Sequence, residues 1–277
     1  MQSLDRPAEY TSAGTARSRW RRAWLTGVAL AAVLILLLAP PHALLDKADR
    51  YAYAVCHRLP DHSIFVAGRQ LPLCARCSGA FLGALAGLIA LLALGRGRAN
   101  RFPPRRFLPV LGLFMAVWAA DGVNSYMAFL GVGPHLYEPH NLLRLTTGAL
   151  EGIVIATLVV PMFNLSLWPP AEGQPVVQRW RDLGWLLVAA AVVVVAVSSE
   201  WPPLLYPLAL ASGLMVVLLI SLLCSVCVLI VLRRDGQITG WREAAGPLLT
   251  GLALGLAGLA VIGLARDAIT AALHLPF

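Results

Sequence analysis

The chain has 277 residues, of which 58% are hydrophobic and only 13% charged, with a formal net charge of +8. A soluble domain charges roughly a quarter of its residues to cover its surface, so this composition excludes one and points to the bilayer. The positive balance does not argue for nucleic acid. No basic stripe carries interleaved aromatics, and arginine accumulates in the cytoplasmic loops of membrane proteins in any case.

Residues 1–22 read as a disordered basic tail that runs into "RSRWRRAW". A first transmembrane helix is expected at 23–40, with its apolar run from Trp24 to Ala39. The basic flank resembles a signal peptide, but "PPHALLD" offers no small-x-small cleavage site, so the helix is expected to remain. A polar loop from Pro40 to Ser78 follows. Further helices are expected at about Gly79 to Gly95, Phe107 to Leu130, Leu142 to Phe163, Leu183 to Ser199, Leu204 to Leu232 and Ala244 to Leu264. Runs such as "WLLVAAAVVVVAVSS" do not alternate, which excludes a barrel. The expected fold is all-α, a polytopic transmembrane bundle of about seven spans. A Cys/His loop and three-helix core would occupy 41–165, and a C-terminal membrane region 166–277.

With the amino terminus placed in the cytoplasm, fifteen Lys and Arg residues fall inside and six outside, with Arg144 within a helix. That bias predicts a multi-pass protein of the cell membrane with the Cys/His loop outside. Gly79, Gly83 and Gly87 on one helix, and Gly251 and Gly255 on another, have the four-residue spacing that lets helices approach closely in lipid.

The chemistry concentrates in "CHRLPDHSIFVAGRQLPLCARCSG", Cys56 to Gly79. Cys74 and Cys77 have the spacing to hold one metal ion through two sulfurs, and Cys56 with His57 could complete a tetrahedral set. Adjacent Cys56 and His57 do not readily face one ion, so one is a ligand and the other a supporting or catalytic group, with Asp61 and His62 as spares. Zinc is the expected ion, and iron suits such a set as well. Two other readings stay open: redox-active thiols, since C-x-x-C at a helix start has a lowered thiol pKa, and a plain structural disulfide. Arg58, Arg69 and Arg76 share the loop and are candidates for binding an anion, with lipid headgroups as the simpler partner.

Ionisable residues within the bilayer usually face a protein interior and pair. Asp121 and Asn124 lie one turn apart; Arg144 opens the next helix near Asn141, and Glu151 lies two turns deeper. Asp121 is expected to pair with Arg144. Asn124, Asn141 and Glu151 join the candidate substrate-binding set, and His57, Asp121 and Arg144 form the candidate catalytic set. Arg266 and Asp267 read as interfacial, as do the single histidines His135, His140 and His274. Cys224 and Cys227 form a second C-x-x-C that reads as packing, with a thiol relay as the remote alternative. No P-loop, G-x-G-x-x-G, G-x-S-x-G or H-E-x-x-H occurs.

These motifs resemble domain of unknown function 2085, a family of uncharacterised prokaryotic membrane proteins, over roughly Tyr51 to Met162. The similarity rests on C-H-R/Q-x-P followed by P-L-C-A-R-C-x-G. The matching positions are Cys56, His57, Pro60, Ser63, Gly68, Arg69, Pro72, Cys74, Arg76, Cys77 and Gly79, with Asp121, Gly122, Asn141, Arg144 and Gly148 further on. The chain departs at His62, where the resemblance implies a basic Arg or Lys. The resemblance implies a site and no activity, and leaves the last three helices outside it.

The expected function is a membrane protein with an outward Cys/His metal site over a polar intramembrane pocket, acting on an anionic lipid or another membrane-associated small molecule. A thiol–disulfide oxidoreductase using the "CARC" pair, or a transporter or scaffold with structural cysteines, is the alternative.

Overall fold

The computed structural model describes residues 26–131, 133, 136–169 and 173–273. The basic tail, the start of the first helix at Trp24, and His135 and His274 lie outside the described residues. The protein is an all-helical polytopic bundle with one small two-stranded sheet. Its helices are α1 (Thr26–Leu38), α2 (Leu44–Tyr53), α3 (Ala75–Ala93), α4 (Leu108–Leu130), α5 (Asn141–Leu167), α6 (Trp180–Ser198), α7 (Leu205–Val231) and α8 (Trp241–Leu273). Among the described residues the six helices α3 to α8 are long and apolar enough to cross a membrane. The described part of α1 rises only about 20 Å, short of the ~30 Å hydrocarbon core; any further length precedes residue 26.

The loop expected from Pro40 to Ser78 is folded. It holds the short helix α2 and a hairpin of β1 (Ser63–Val66) and β2 (Arg69–Cys74), paired Val66 to Arg69 and Phe65 to Gln70. Ala67 and Gly68 both have positive φ, 52° and 75°, which makes the two-residue turn whose twist matches the strands. Ile64, Val66, Leu71 and Leu73 are buried and Phe65 is exposed, so the hairpin lies on the bundle with one face down. α3 therefore starts at Ala75, four residues earlier than the glycine expected to open it.

α3 packs chiefly on α5, and α7 on α8. The glycine spacing explains the first contact. A Cβ added at Gly83 would lie 2.7 Å from the Ala149 carbonyl, and one at Gly87 would lie 2.9 Å from the Ala156 methyl. On α8 a Cβ at Gly255 would come within 2.8 Å of Ser221 Oγ. In lipid such close approach supplies the van der Waals contact that holds helices together. The alternation of the spans brings the start of α3, α5 and α7 to the same side as the end of α4 and α8, where α2 and the hairpin also lie.

Candidate metal centre

Three elements bring the cysteines together. After α2 the chain turns, with the N–H groups of Val55 and Cys56 donating to the Ala52 carbonyl, and Arg58 takes a left-handed φ of 53°. Cys74 ends β2 and is the N-cap residue of α3, whose first turn holds Cys77. The three sulfurs all lie within 4.8 Å of one another. A tetrahedral zinc with ~2.3 Å bonds needs sulfurs about 3.8 Å apart, so an adjustment of about 1 Å would close the set. Cys56 and Cys74 are buried, Cys77 is half-buried, and all five cysteines are free. The set does not extend to His57, whose Nε2 lies 3.3 Å from Nδ1 of His62.

The electrostatics favour one thiolate in this group. Thiol hydrogen bonds from Cys74 and Cys77, and then the backbone N–H groups of Cys74 and Arg58, pull Cys56 down to about 2 against the opposing effect of burial. The Cys74 N–H lies 3.2 Å from Cys56 Sγ. The partner thiol at Cys56 pushes Cys74 up to about 11, with burial adding to the effect. A buried negative charge stabilised by donors is what a cation-binding sulfur set requires. Burial pulls the His62 imidazole down to about 4, and Arg144, His57 and Arg76 contribute in that order, so the rim carries a positive field.

The arginines divide by partner. Arg58 pairs with Asp49 at 3.1 Å, and Arg69 with Asp46 at 2.6 Å and Asp49 at 3.0 Å. Both were candidate anion binders; both instead pin the turn and hairpin to α2. Arg76 pairs with Asp121 at 2.5 Å and donates to Ser125 Oγ at 3.0 Å. The expected Asp121–Arg144 ion pair is not formed. Tyr137 donates to the other Asp121 oxygen at 2.8 Å. Arg144, only 6% exposed, meets neutral oxygens, Asn141 Oδ1 at 2.8 Å and Ser125 Oγ at 3.4 Å.

Asn141 donates to the carbonyls of Asp61 and Ser63, both at 3.2 Å, which ties the hairpin to α5 and turns its amide oxygen to Arg144. Asn124 holds the α4–α5 connection instead of facing the site, accepting from the Leu136 N–H at 2.6 Å and donating to the Tyr137 carbonyl at 2.9 Å. Glu151 is half-buried on α5, deeper in the bundle. Asp121, Arg76, Arg144, Ser125, Thr147 and Tyr137 thus form one polar network under the cysteines.

Arg266 is the functional neighbour that sequence reasoning set aside as interfacial. Its guanidinium donates to the carbonyls of Tyr53 (2.5 Å), Cys56 and His57 (3.3 Å), and lies 4.2 Å over the Tyr53 ring. Asp267 beside it pairs with Arg50 at 2.6 Å. The Cys56 turn is therefore fastened to α8. Cys224 and Cys227 take no part. α7 reaches the core around the cysteines at Val216, and Cys224 lies about 12 Å further along the helix.

Fold and site together define a polytopic membrane protein with a buried sulfur cluster at one end of its bundle. Residues 56–158 match the family described as "Predicted membrane protein (DUF2085)", which bears out the resemblance over that segment. The chain is 29% identical over 141 residues to an uncharacterized protein of Methanocaldococcus jannaschii, covering 47% of this chain and 84% of that protein. It is 28% identical over 118 residues to an uncharacterized protein of Methanothermobacter thermautotrophicus, covering 43% of this chain and 95% of that one. No solved structure matches.

Proposed function

We propose that this chain is an integral membrane metalloprotein of the cell membrane in which Cys56, Cys74 and Cys77 hold one zinc ion at the outer surface. The observation that carries this reading is the convergence of three cysteine sulfurs within 4.8 Å. Three protein ligands leave a fourth position for water or substrate, the arrangement of catalytic zinc sites. Bound there, zinc would act as a Lewis acid on an oxygen of a membrane-associated, anionic substrate.

The protein's own residues have assignable parts. Cys56, Cys74 and Cys77 bind; His57, next to a ligand and hydrogen-bonded to His62, is the candidate general base. Asp121 holds Arg76, and Arg144 remains for the substrate's negative group. The excess of Lys and Arg on the opposite side supports an outward-facing site. An impermeant maleimide applied to intact cells after chelation of the metal, in a chain with Cys224→Ser and Cys227→Ser, would test this, since the half-buried Cys77 should label only if it faces out.

Elemental analysis of detergent-purified protein tests the centre. About one zinc or iron per chain is expected, lost in Cys74→Ser. The thiol–disulfide alternative is favoured by the same group of free thiols with a stabilised Cys56 thiolate. It predicts no metal, and two thiols that appear only after reduction.

A further inference from the structure

Six arginines surround the centre, and five are accounted for. Arg50, Arg58, Arg69 and Arg76 each meet a carboxylate, and Arg266 is spread over three backbone carbonyls and an aromatic face. Arg144 differs. It is 6% exposed, its hydrogen-bond partners are the neutral oxygens of Asn141 and Ser125, and among the described residues no carboxylate lies within ion-pair distance of it. A buried guanidinium whose nearest acid, Asp121, is ion-paired to another arginine is costly unless something anionic completes it.

Its surroundings are arranged to keep it so. Asn141 is held by the carbonyls of Asp61 and Ser63, so its Oδ1 faces Arg144 in a fixed direction. Asp121, the nearby acid, is engaged by Arg76 and Tyr137. With that acid committed elsewhere, the Arg144 guanidinium is left to an anion from outside.

We infer that Arg144, with Asn141 fixing it and His62 at the rim, is the binding residue for a phosphate-type oxyanion, supplied either by a lipid headgroup or by free phosphate. A phosphoryl group presents three oxygens, so two can meet a guanidinium in parallel while a third faces the neighbouring sulfur-bound metal. This rests on the zinc reading for the fate of the third oxygen, but not for the charge argument at Arg144.

The test is calorimetric titration of the full chain, with its zinc content measured in the same sample. The probes are inorganic phosphate, short-chain phosphatidic acid, and short-chain diacylglycerol as the phosphate-free control. Saturable binding of at least one phosphate probe is expected, weakened at least ten-fold by Arg144→Gln. Asn141→Asp places a carboxylate beside Arg144 and is expected to abolish binding by internal neutralisation, which covers the case where Arg144→Gln fails to fold. Arg105→Gln on the opposite face should leave it unchanged. Phosphatidic acid alone would identify a headgroup; equal binding of inorganic phosphate would identify the free ion. No saturable binding by either probe, or binding indifferent to both variants, overturns the inference. Zinc without anion binding sinks it and spares the metal centre, whereas Arg144-dependent binding without metal does the reverse.

Discussion

Arg76 grips Asp121 through two nitrogens, Nε at 3.2 Å and Nη2 at 2.5 Å, and Nη2 also reaches the Asp121 carbonyl at 3.0 Å. Asp121 is 2% exposed, and Arg76 directly precedes Cys77. The pair therefore joins the first turn of α3, which carries Cys77 directly after the Cys74 cap, to the C-terminal part of α4.

Breaking that pair should cost more than its net worth. Asp121→Asn leaves the half-buried Arg76 guanidinium without its carboxylate, a loss that approaches but does not reach the about 3–5 kcal/mol of a fully buried pair, because water screens part of the charge. The detergent-solubilised variant should unfold at markedly lower temperature than Ser125→Ala, which removes only one neutral acceptor. The double change Arg76→Met with Asp121→Leu should recover much of the loss, because it removes both charges. Equal unfolding temperatures for Asp121→Asn and Ser125→Ala would show that the ion pair is not what holds α3 to α4.

The same corner depends on a missing side chain. A Cβ at Gly148 would overlap the Arg76 carbonyl and come within 3.1 Å of the Ala80 nitrogen. Gly148→Ala must push α5 away from the start of α3, at about 1–3 kcal/mol for overpacking of this kind. Metal content should fall as well, since the displaced turn carries Cys77. Gly112, with nothing near its Cβ position, is the control: Gly112→Ala should leave both quantities unchanged.

How much of this was legible in the sequence follows from what periodicity encodes. Spans and glycine faces were readable because both are one-dimensional patterns along a helix. The three cysteines were readable as a chemical cluster, with metal, redox and disulfide readings all open, whereas His57, expected in the same set, lies outside it against His62. The pairing of Asp121 was not readable. Sequence places Asp121, Arg76 and Arg144 at similar depth, but depth does not determine which guanidinium faces the carboxylate; in the structure Arg76 takes it and Arg144 turns to Asn141. The fate of Arg58 and Arg69 was hidden because α2 looks like loop. Its Asp46 and Asp49 lie three residues apart on one helical face, and that spacing was the available signal.

Acid should release the metal. Zinc needs thiolates, and the Cys74 proton, held up to about 11 by the neighbouring Cys56 thiol, must leave when the ion binds. The Cys56 thiol, already pulled down to about 2, contributes no such dependence near neutrality. Apparent zinc affinity should therefore rise by at least ten-fold per pH unit across the neutral range and level off only towards pH 11. Competition with a chromophoric chelator at several pH values reads the slope directly. A flat profile would mean that neither Cys74 nor Cys77 is a ligand, since each must give up its thiol proton to bind.

Arg266 offers the sharpest separation between the family-matched segment and the remainder of the chain. Residues 56–158 contain all three cysteines, yet the carbonyls of Tyr53, Cys56 and His57 are gathered by a guanidinium from α8, more than a hundred residues beyond that segment. Hydrogen bonds to a charged group contribute about 1.5–3 kcal/mol each, so losing them should loosen the Cys56 turn without unfolding the bundle. Arg266→Gln should lower zinc affinity about ten-fold or more and lower the unfolding temperature, while circular dichroism keeps the helical signal of the folded bundle. Arg266→Lys keeps the charge but loses the planar fork and should fall between the two. Unchanged affinity in Arg266→Gln would make the centre a property of α2, the hairpin and α3 alone, and would leave α8 a purely structural part.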